Sequence, residues 1–125
     1  MHGGEGNDTI TGRNGPDDIF GDEGNDILSG LAGDDELWGG DGDDILRGGT
    51  NNTGLNRIDV LKGGSGSDKL YGGTSTARNG GNAGVADDKK YLYGDEGDDL
   101  IWGSSNISEQ YIWGGSGDDF IYSGN

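Results

Sequence analysis

Cysteine is absent from this 125-residue chain, histidine and proline occur once each, and only 8 residues are basic. Without cysteine there is no disulfide framework, and the redox compartment is left open. Without a thiol, and with a single imidazole at the terminal and uninvolved His2, no catalytic set is visible. The 8 basic residues face 24 acidic ones, a formal net charge of −16, which excludes the basic stripe that a nucleic-acid partner needs. Apolar residues are scarce as well. Leu, Ile, Val and Phe make up 22 of the 125 residues, below the roughly 20 % at which a highly charged chain is expected to stay disordered. No apolar run approaches the roughly 18 residues of a membrane span, and the opening residues lack the pattern of a signal peptide. Residues 1–2 read as a start and a cloning remnant, and 3–125 as one domain taken from a larger protein.

What is abundant is glycine, 30 residues of it, and it is periodic. The stretch Gly39-Gly40-Asp41-Gly42-Asp43-Asp44-Ile45-Leu46-Arg47 is one nine-residue unit. Units begin at Gly3, Gly12, Gly21, Gly30, Gly39, Gly48, Gly63, Gly72, Gly94, Gly103 and Gly114. Position 8 is aliphatic in every one: Ile10, Ile19, Leu28, Leu37, Leu46, Leu61, Leu70, Leu92, Ile101, Ile112 and Ile121. Glycines at positions 1, 2 and 4 admit a backbone with positive φ, and position 6 offers an Asp carboxylate. So strict a self-similarity means stacked repeats rather than one globular core. A disordered acidic linker would have no reason to keep position 8 fixed.

Each unit reads as a Gly-rich turn followed by a strand of about three residues. With position 8 turned inward, positions 7 and 9 point outward. Two units make a coil of about 18 residues, and strands of successive coils pair in parallel about 4.8 Å apart. The unit spacing lengthens to 15 after Gly48, to 22 after Gly72 and to 11 after Gly103. These are all even-numbered units, so the inserts (about 51–57, 75–89 and 104–109) leave from one side as loops. The middle one, rich in Gly, Asn, Ser and Thr, is expected to be mobile.

A stack of Asp carboxylates one coil apart is repulsive unless something lies between them. Calcium takes six to eight oxygens, from carboxylates and main-chain carbonyls alike, whereas magnesium demands a strict octahedron. The turns are neither EF-hand loops, which need a Glu at position 12 and flanking helices, nor phosphate cradles, since no Lys-Ser/Thr and no helix follows.

The pattern Gly-Gly-x-Gly-x-Asp-x-aliphatic-x resembles the RTX (hemolysin-type) calcium-binding repeat. The resemblance implies an all-β, right-handed parallel β-roll of about five and a half coils. It also implies that each ion lies between two turns on the same side. One turn gives the carbonyls of positions 2 and 4 and its Asp; the next gives those of positions 1 and 3 and its own Asp. On the odd-numbered side this yields Gly4, Gly6 and Asp8 with Gly21, Glu23 and Asp26, then Asp22, Gly24 and Asp26 with Gly39, Asp41 and Asp44. Gly40, Gly42 and Asp44 follow with Gly63, Ser65 and Asp68, and Gly64, Gly66 and Asp68 with Gly94, Glu96 and Asp99. The last site is Asp95, Gly97 and Asp99 with Gly114, Ser116 and Asp119.

On the even side the resemblance implies one ordinary site from Arg13, Gly15 and Asp17 with Gly30, Ala32 and Asp35. Leu31, Gly33 and Asp35 with Gly48, Thr50 and Asp59 make a second, perturbed by the insert before Asp59. Beyond it position 6 becomes Lys90 and then Gln110, where the ladder is expected to stop. Either Lys90 substitutes its own charge for an ion, or Asp87 and Asp88 form an irregular site. The total is six to eight calcium ions.

Outward aromatics recur one coil apart: Phe20, Trp38, Tyr93 and Trp113 on the even strands, with Tyr71, Trp102, Phe120 and Tyr122 on the odd ones. Such a strip would suit a polysaccharide or cell-surface ligand, or be covered by loops and neighbouring domains. The function the resemblance implies is calcium-driven folding that promotes the extracellular folding of a larger protein secreted by a type I system. The alternative is a carbohydrate- or surface-binding module. The uncapped last coil suggests end-to-end self-association.

Overall fold

Each unit delivers its strand to one of two parallel six-stranded sheets in a computed structural model of the chain, which describes residues 1–51, 58–75, 89–104 and 109–124. The first sheet takes the strands of the even-numbered units, β3 (Asp18–Glu23), β5 (Glu36–Asp41), β8 (Ile58–Ser65), β11 (Lys89–Glu96) and β13 (Glu109–Ser116), with β1 (His2–Glu5), from the start of the first unit, at its edge. The second takes the odd-numbered units: β2 (Thr9–Thr11), β4 (Ile27–Ser29), β6 (Ile45–Arg47), β9 (Lys69–Tyr71), β12 (Leu100–Trp102) and β14 (Phe120–Tyr122). Among the described residues there is no helix long and apolar enough to cross a membrane. The fold is a parallel β-roll, as the repeat implies.

Register follows position 8. Ile10, Leu28, Leu46, Leu70, Ile101 and Ile121 face one another along the second sheet. Ile19, Leu37, Leu61, Leu92 and Ile112 do so along the first. The core consists of these residues: eight are fully buried, and Ile10 and Ile112 pack on them from the ends. Ile121, in the last coil, stays 47 % exposed because no further coil covers it. A buried side chain of this size is worth about 1.5–3 kcal/mol, and one such residue per nine is a thin core.

The strands of the second sheet have the expected three residues, but those of the first run to six or eight, apart from β1 with four. They continue through the next turn because its backbone stays in register with the coil above, as in Asp22 with Gly40 and Glu23 with Asp41. Position-4 amides seal that extension. Gly6 N–H donates to the Glu23 carbonyl at 2.7 Å, and Gly24 N–H to the Asp41 carbonyl at 2.8 Å.

The inserts leave from even-numbered turns, and strands reach into their described ends at Asn51, Ser75, Lys89 and Glu109. Thr50–Asn51 (β7) pairs in parallel with Thr74–Ser75 (β10). Lys89 opens β11 and Glu109 opens β13, joined by a 2.7 Å ion pair. The expected mobility of the middle insert, and an irregular site at Asp87 and Asp88, fall outside the described residues. At the other end, His2 makes contacts of its own. It sits in β1, stacks on Phe20 at 4.6 Å and places its Nδ1 3.0 Å from Asp22 Oδ2. His2 does so because it stands in register with Phe20, at the foot of the outward position-9 row.

Candidate metal centre

Glycine serves the turns in two different ways. In the odd-numbered turns positions 2 and 4 take a left-handed backbone: Gly40 has φ +119° and Gly42 +127°. Asp22 and Leu31 hold the same turn conformation at position 2, with φ of 78° and 75°, without being glycine. Position 1 is glycine for another reason, and the expectation of positive φ there fails. No position-1 glycine has positive φ. Instead, a Cβ on Gly3 would stand 2.5 Å from Asp8 Oδ2 and 2.7 Å from the Gly21 carbonyl oxygen. A Cβ on Gly12 would meet Asp17 Oδ2 at 2.6 Å and the Gly30 carbonyl at 2.7 Å. The position-6 carboxylate and the next coil's position-1 carbonyl thus converge over a bare Cα.

The position-6 carboxylates form a directional ladder. Asp8 N–H donates to Asp26 Oδ1 at 2.7 Å, Asp26 N–H to Asp44 Oδ1 at 2.7 Å, and Asp44 N–H to Asp68 Oδ1 at 2.8 Å. Asp68 N–H donates to Asp99 Oδ1 and Asp99 N–H to Asp119 Oδ1. Each Oδ1 therefore faces the gap below, and each Oδ2 is left for its own glycine. On the odd side the Oδ2 atoms of Asp8, Asp26, Asp44, Asp68 and Asp99 are buried with no hydrogen-bond partner. That is one orphaned anionic oxygen in each of the five gaps between six turns. Such a group is costly unless paired.

Burial pushes the Asp68 carboxyl up to about 7; the Asp44 amide partly offsets this, and repulsion from Asp44 and Asp99 adds to it. Burial likewise raises Asp44 and Asp35 to about 6, and Asp99 upward. The ladder is an electrostatic strain that a cation between the turns would relieve. Among the described residues no three His, Cys, Asp or Glu side chains gather at one point. A cation here would complete its shell with main-chain carbonyls. The donors fit a hard ion: carboxylate and carbonyl oxygens only, of the kind calcium takes six to eight of.

The other carbonyls implied by the resemblance also border the gaps. The position-4 carbonyl of one turn lies under the position-4 Cα of the next, as Gly6 does beneath Gly24. The position-2 carbonyl of Asp22 lies in the same way beneath Gly40. Position-3 carbonyls such as those of Glu23, Asp41, Ser65, Glu96 and Ser116 accept position-4 amides of the preceding turn. A carbonyl has a second lone pair available for a cation.

The two even-side gaps differ in their carboxylates. Asp17 Oδ2 accepts the Arg13 amide of its own turn at 2.7 Å, so the first gap holds no orphan. Asp35, 1 % exposed, keeps a buried Oδ2 with no hydrogen-bond partner, and its Oδ1 faces Asp17 N–H at 3.1 Å. The gap between Asp35 and Asp59 therefore holds the orphaned carboxylate oxygen found on the even side among the described residues. In the next rung the Lys90 ammonium pairs with Asp59 Oδ2. In the last rung Gln110 Oε1 accepts Ser104 N–H at 2.9 Å.

Two features were not foreseen in the sequence. The first is a second rail at position 5 of the odd turns, running opposite to the Asp ladder. Asn25 N–H donates to Asn7 Oδ1 at 2.9 Å, Asp43 N–H to Asn25 Oδ1 at 3.0 Å, and Ser67 N–H to Asp43 Oδ1 at 2.9 Å. The signal was present, since position 5 is Asn, Asp or Ser in all six odd units. The second is what the aromatics do. Tyr93 and Trp113 stack at 4.9 Å and 3°, Tyr71 and Trp102 at 4.6 Å and 4°, and Lys62 Nζ lies 3.9 Å from the centre of Trp38. The stacked rings cover each other's faces and present their edges outward, while Phe20 and Trp38 meet tilted at 52°. A sugar ring stacks on an open aromatic face, and most faces here are taken.

A family model for the RTX calcium-binding nonapeptide repeat (4 copies) matches residues 1–28, 20–53, 53–75, 91–106 and 111–125. No curated protein and no solved structure matches the chain. With matched segments over most of its length, a nine-residue register in both sheets and a hard-oxygen donor ladder in its turns, the chain belongs to the family of RTX calcium-binding nonapeptide repeats.

Proposed function

We propose that this chain is a calcium-coupled folding module of a larger secreted protein, with six ions held in the gaps between its turns. The carrying observation is the set of buried, partnerless Oδ2 atoms: five on the odd side and that of Asp35 on the even side. In the ion-free roll these oxygens repel one another; with an ion in each gap the same ladder becomes cohesive. An ion that binds only the folded state adds its binding free energy to folding, about 2.7 kcal/mol per site at 100 times the dissociation constant. This supplements a core of one aliphatic residue per unit and opposes a net charge of −16.

Family membership supports the biological setting. RTX repeats typify secreted proteins, and a chain that folds only with calcium would pass a type I exporter unfolded and fold outside. The family is a calcium-binding structural module, and we assign the chain no reaction of its own. The aromatic piles favour a role in holding coils together over polysaccharide or cell-surface binding.

Circular dichroism in chelator, in millimolar calcium and in millimolar magnesium tests the reading. A coil-to-β transition with calcium and not with magnesium is expected. A full β spectrum in chelator would overturn it.

A further inference from the structure

Lys90 is the largest fully buried side chain among the described residues, with no exposed surface. It occupies position 6 of the eighth unit, in register with Asp59 on one side and Gln110 on the other. Its ammonium pairs with Asp59 Oδ2, and both side chains are 0 % exposed. The orphaned Oδ2 atoms of Asp35 and of the odd-side ladder leave this same contact open. Burying an ammonium costs several kcal/mol unless a carboxylate compensates it, and the charges of Asp35 and Asp34 add to the attraction. The next gap is filled by protein atoms too: a Cβ on Gly72 would collide with the buried Ser104 hydroxyl, and one on Gly103 with Gln110 Oε1.

We propose that Lys90 is a tethered cation that takes the place of a calcium ion in the even-side ladder. It ends that ladder at Asp59 and makes the coils from β8 to β13 independent of metal along that edge. The two edges of the roll are then unequal: one depends on calcium in every gap, and the other carries part of its positive charge in its own sequence. This inference rests on the calcium reading above.

The test is the number of calcium ions bound at saturation, by equilibrium dialysis, together with the calcium concentration at half-folding. Lys90→Asp restores a carboxylate at position 6 and is expected to bind one ion more than the parent chain. Lys90→Gln removes the charge that pairs with Asp59 Oδ2 and is expected to need several-fold more calcium for half-folding. Lys90→Arg keeps the cation and is expected to restore the parent's half-folding point. A folded Lys90→Asp variant with an unchanged ion count would overturn the proposal. So would an unchanged half-folding point in Lys90→Gln, which decides the matter if Lys90→Asp does not fold. If the parent chain itself bound no calcium, the functional reading would fail rather than this assignment alone.

Discussion

At the scale of the residue, the position-6 Asp serves two opposed states. Asp68 has a pKa of about 7 in the ion-free roll against 3.8 ordinarily. A raised carboxyl pKa means the folded state holds the proton more tightly than the unfolded one, so stability falls as pH rises through that window. The penalty is fully present above about 7, shrinks as Asp68, Asp44 and Asp35 protonate between about 7 and 6, and is gone below 3.8. Acidifying the chelated protein from neutral pH towards 5 should therefore raise its β content, read by circular dichroism. With calcium present the same acidification should weaken folding, because protons compete for the ligands. Asp68→Asn should show the same crossing at fixed pH. It keeps the acceptor for Asp44 N–H, so it should be more ordered than the parent in chelator. In calcium it should bind fewer ions, since Asp68 borders two gaps. A variant equally weak in both conditions would sink this account.

At the scale of the element, the strand is fixed by position 8 and the turn by its two polar rails. The strand was legible in the sequence because one invariant aliphatic every nine residues states both the period and the inward face. The turn was less so. Why position 1 must be glycine depends on an oxygen from the next coil, as with Gly21 above Gly3, which no single unit reveals. The capture of Asp17 Oδ2 by the Arg13 amide is likewise a matter of local geometry. The position-5 rail could have been read from its Asn, Asp and Ser side chains, had their reach to a neighbouring coil been considered. Its weight is measurable. Asn25→Ala removes the acceptor for Asp43 N–H and should cost about 1 kcal/mol, seen as a modest rise in the calcium needed for half-folding with the ion count unchanged.

At the scale of the whole molecule, the roll has unequal ends as well as unequal edges. The last coil leaves Phe120, Ile121 and Tyr122 at 65, 47 and 54 % exposure, beside strands β13 and β14, which no further strand among the described residues pairs on their outer side. Repeat arrays need such ends covered. Sedimentation velocity in calcium should show concentration-dependent self-association, reduced in Ile121→Lys; a single monomeric species at all concentrations would refute it.

The sharing of each interior carboxylate by two gaps also has a mechanical meaning. Pulled from its two ends, the roll cannot stretch smoothly; it must surrender whole coils, each one freed by breaking its cross-links. The lengths released are written in the ladder's own spacings: 18 residues from Asp8 to Asp26 and from Asp26 to Asp44, 24 to Asp68, 31 to Asp99 and 20 to Asp119. At about 3.4 Å per extended residue, a force trace would rise and drop in steps of unequal, identifiable length. The three long turns would thus serve as slack, feeding out extra chain after a rung has failed.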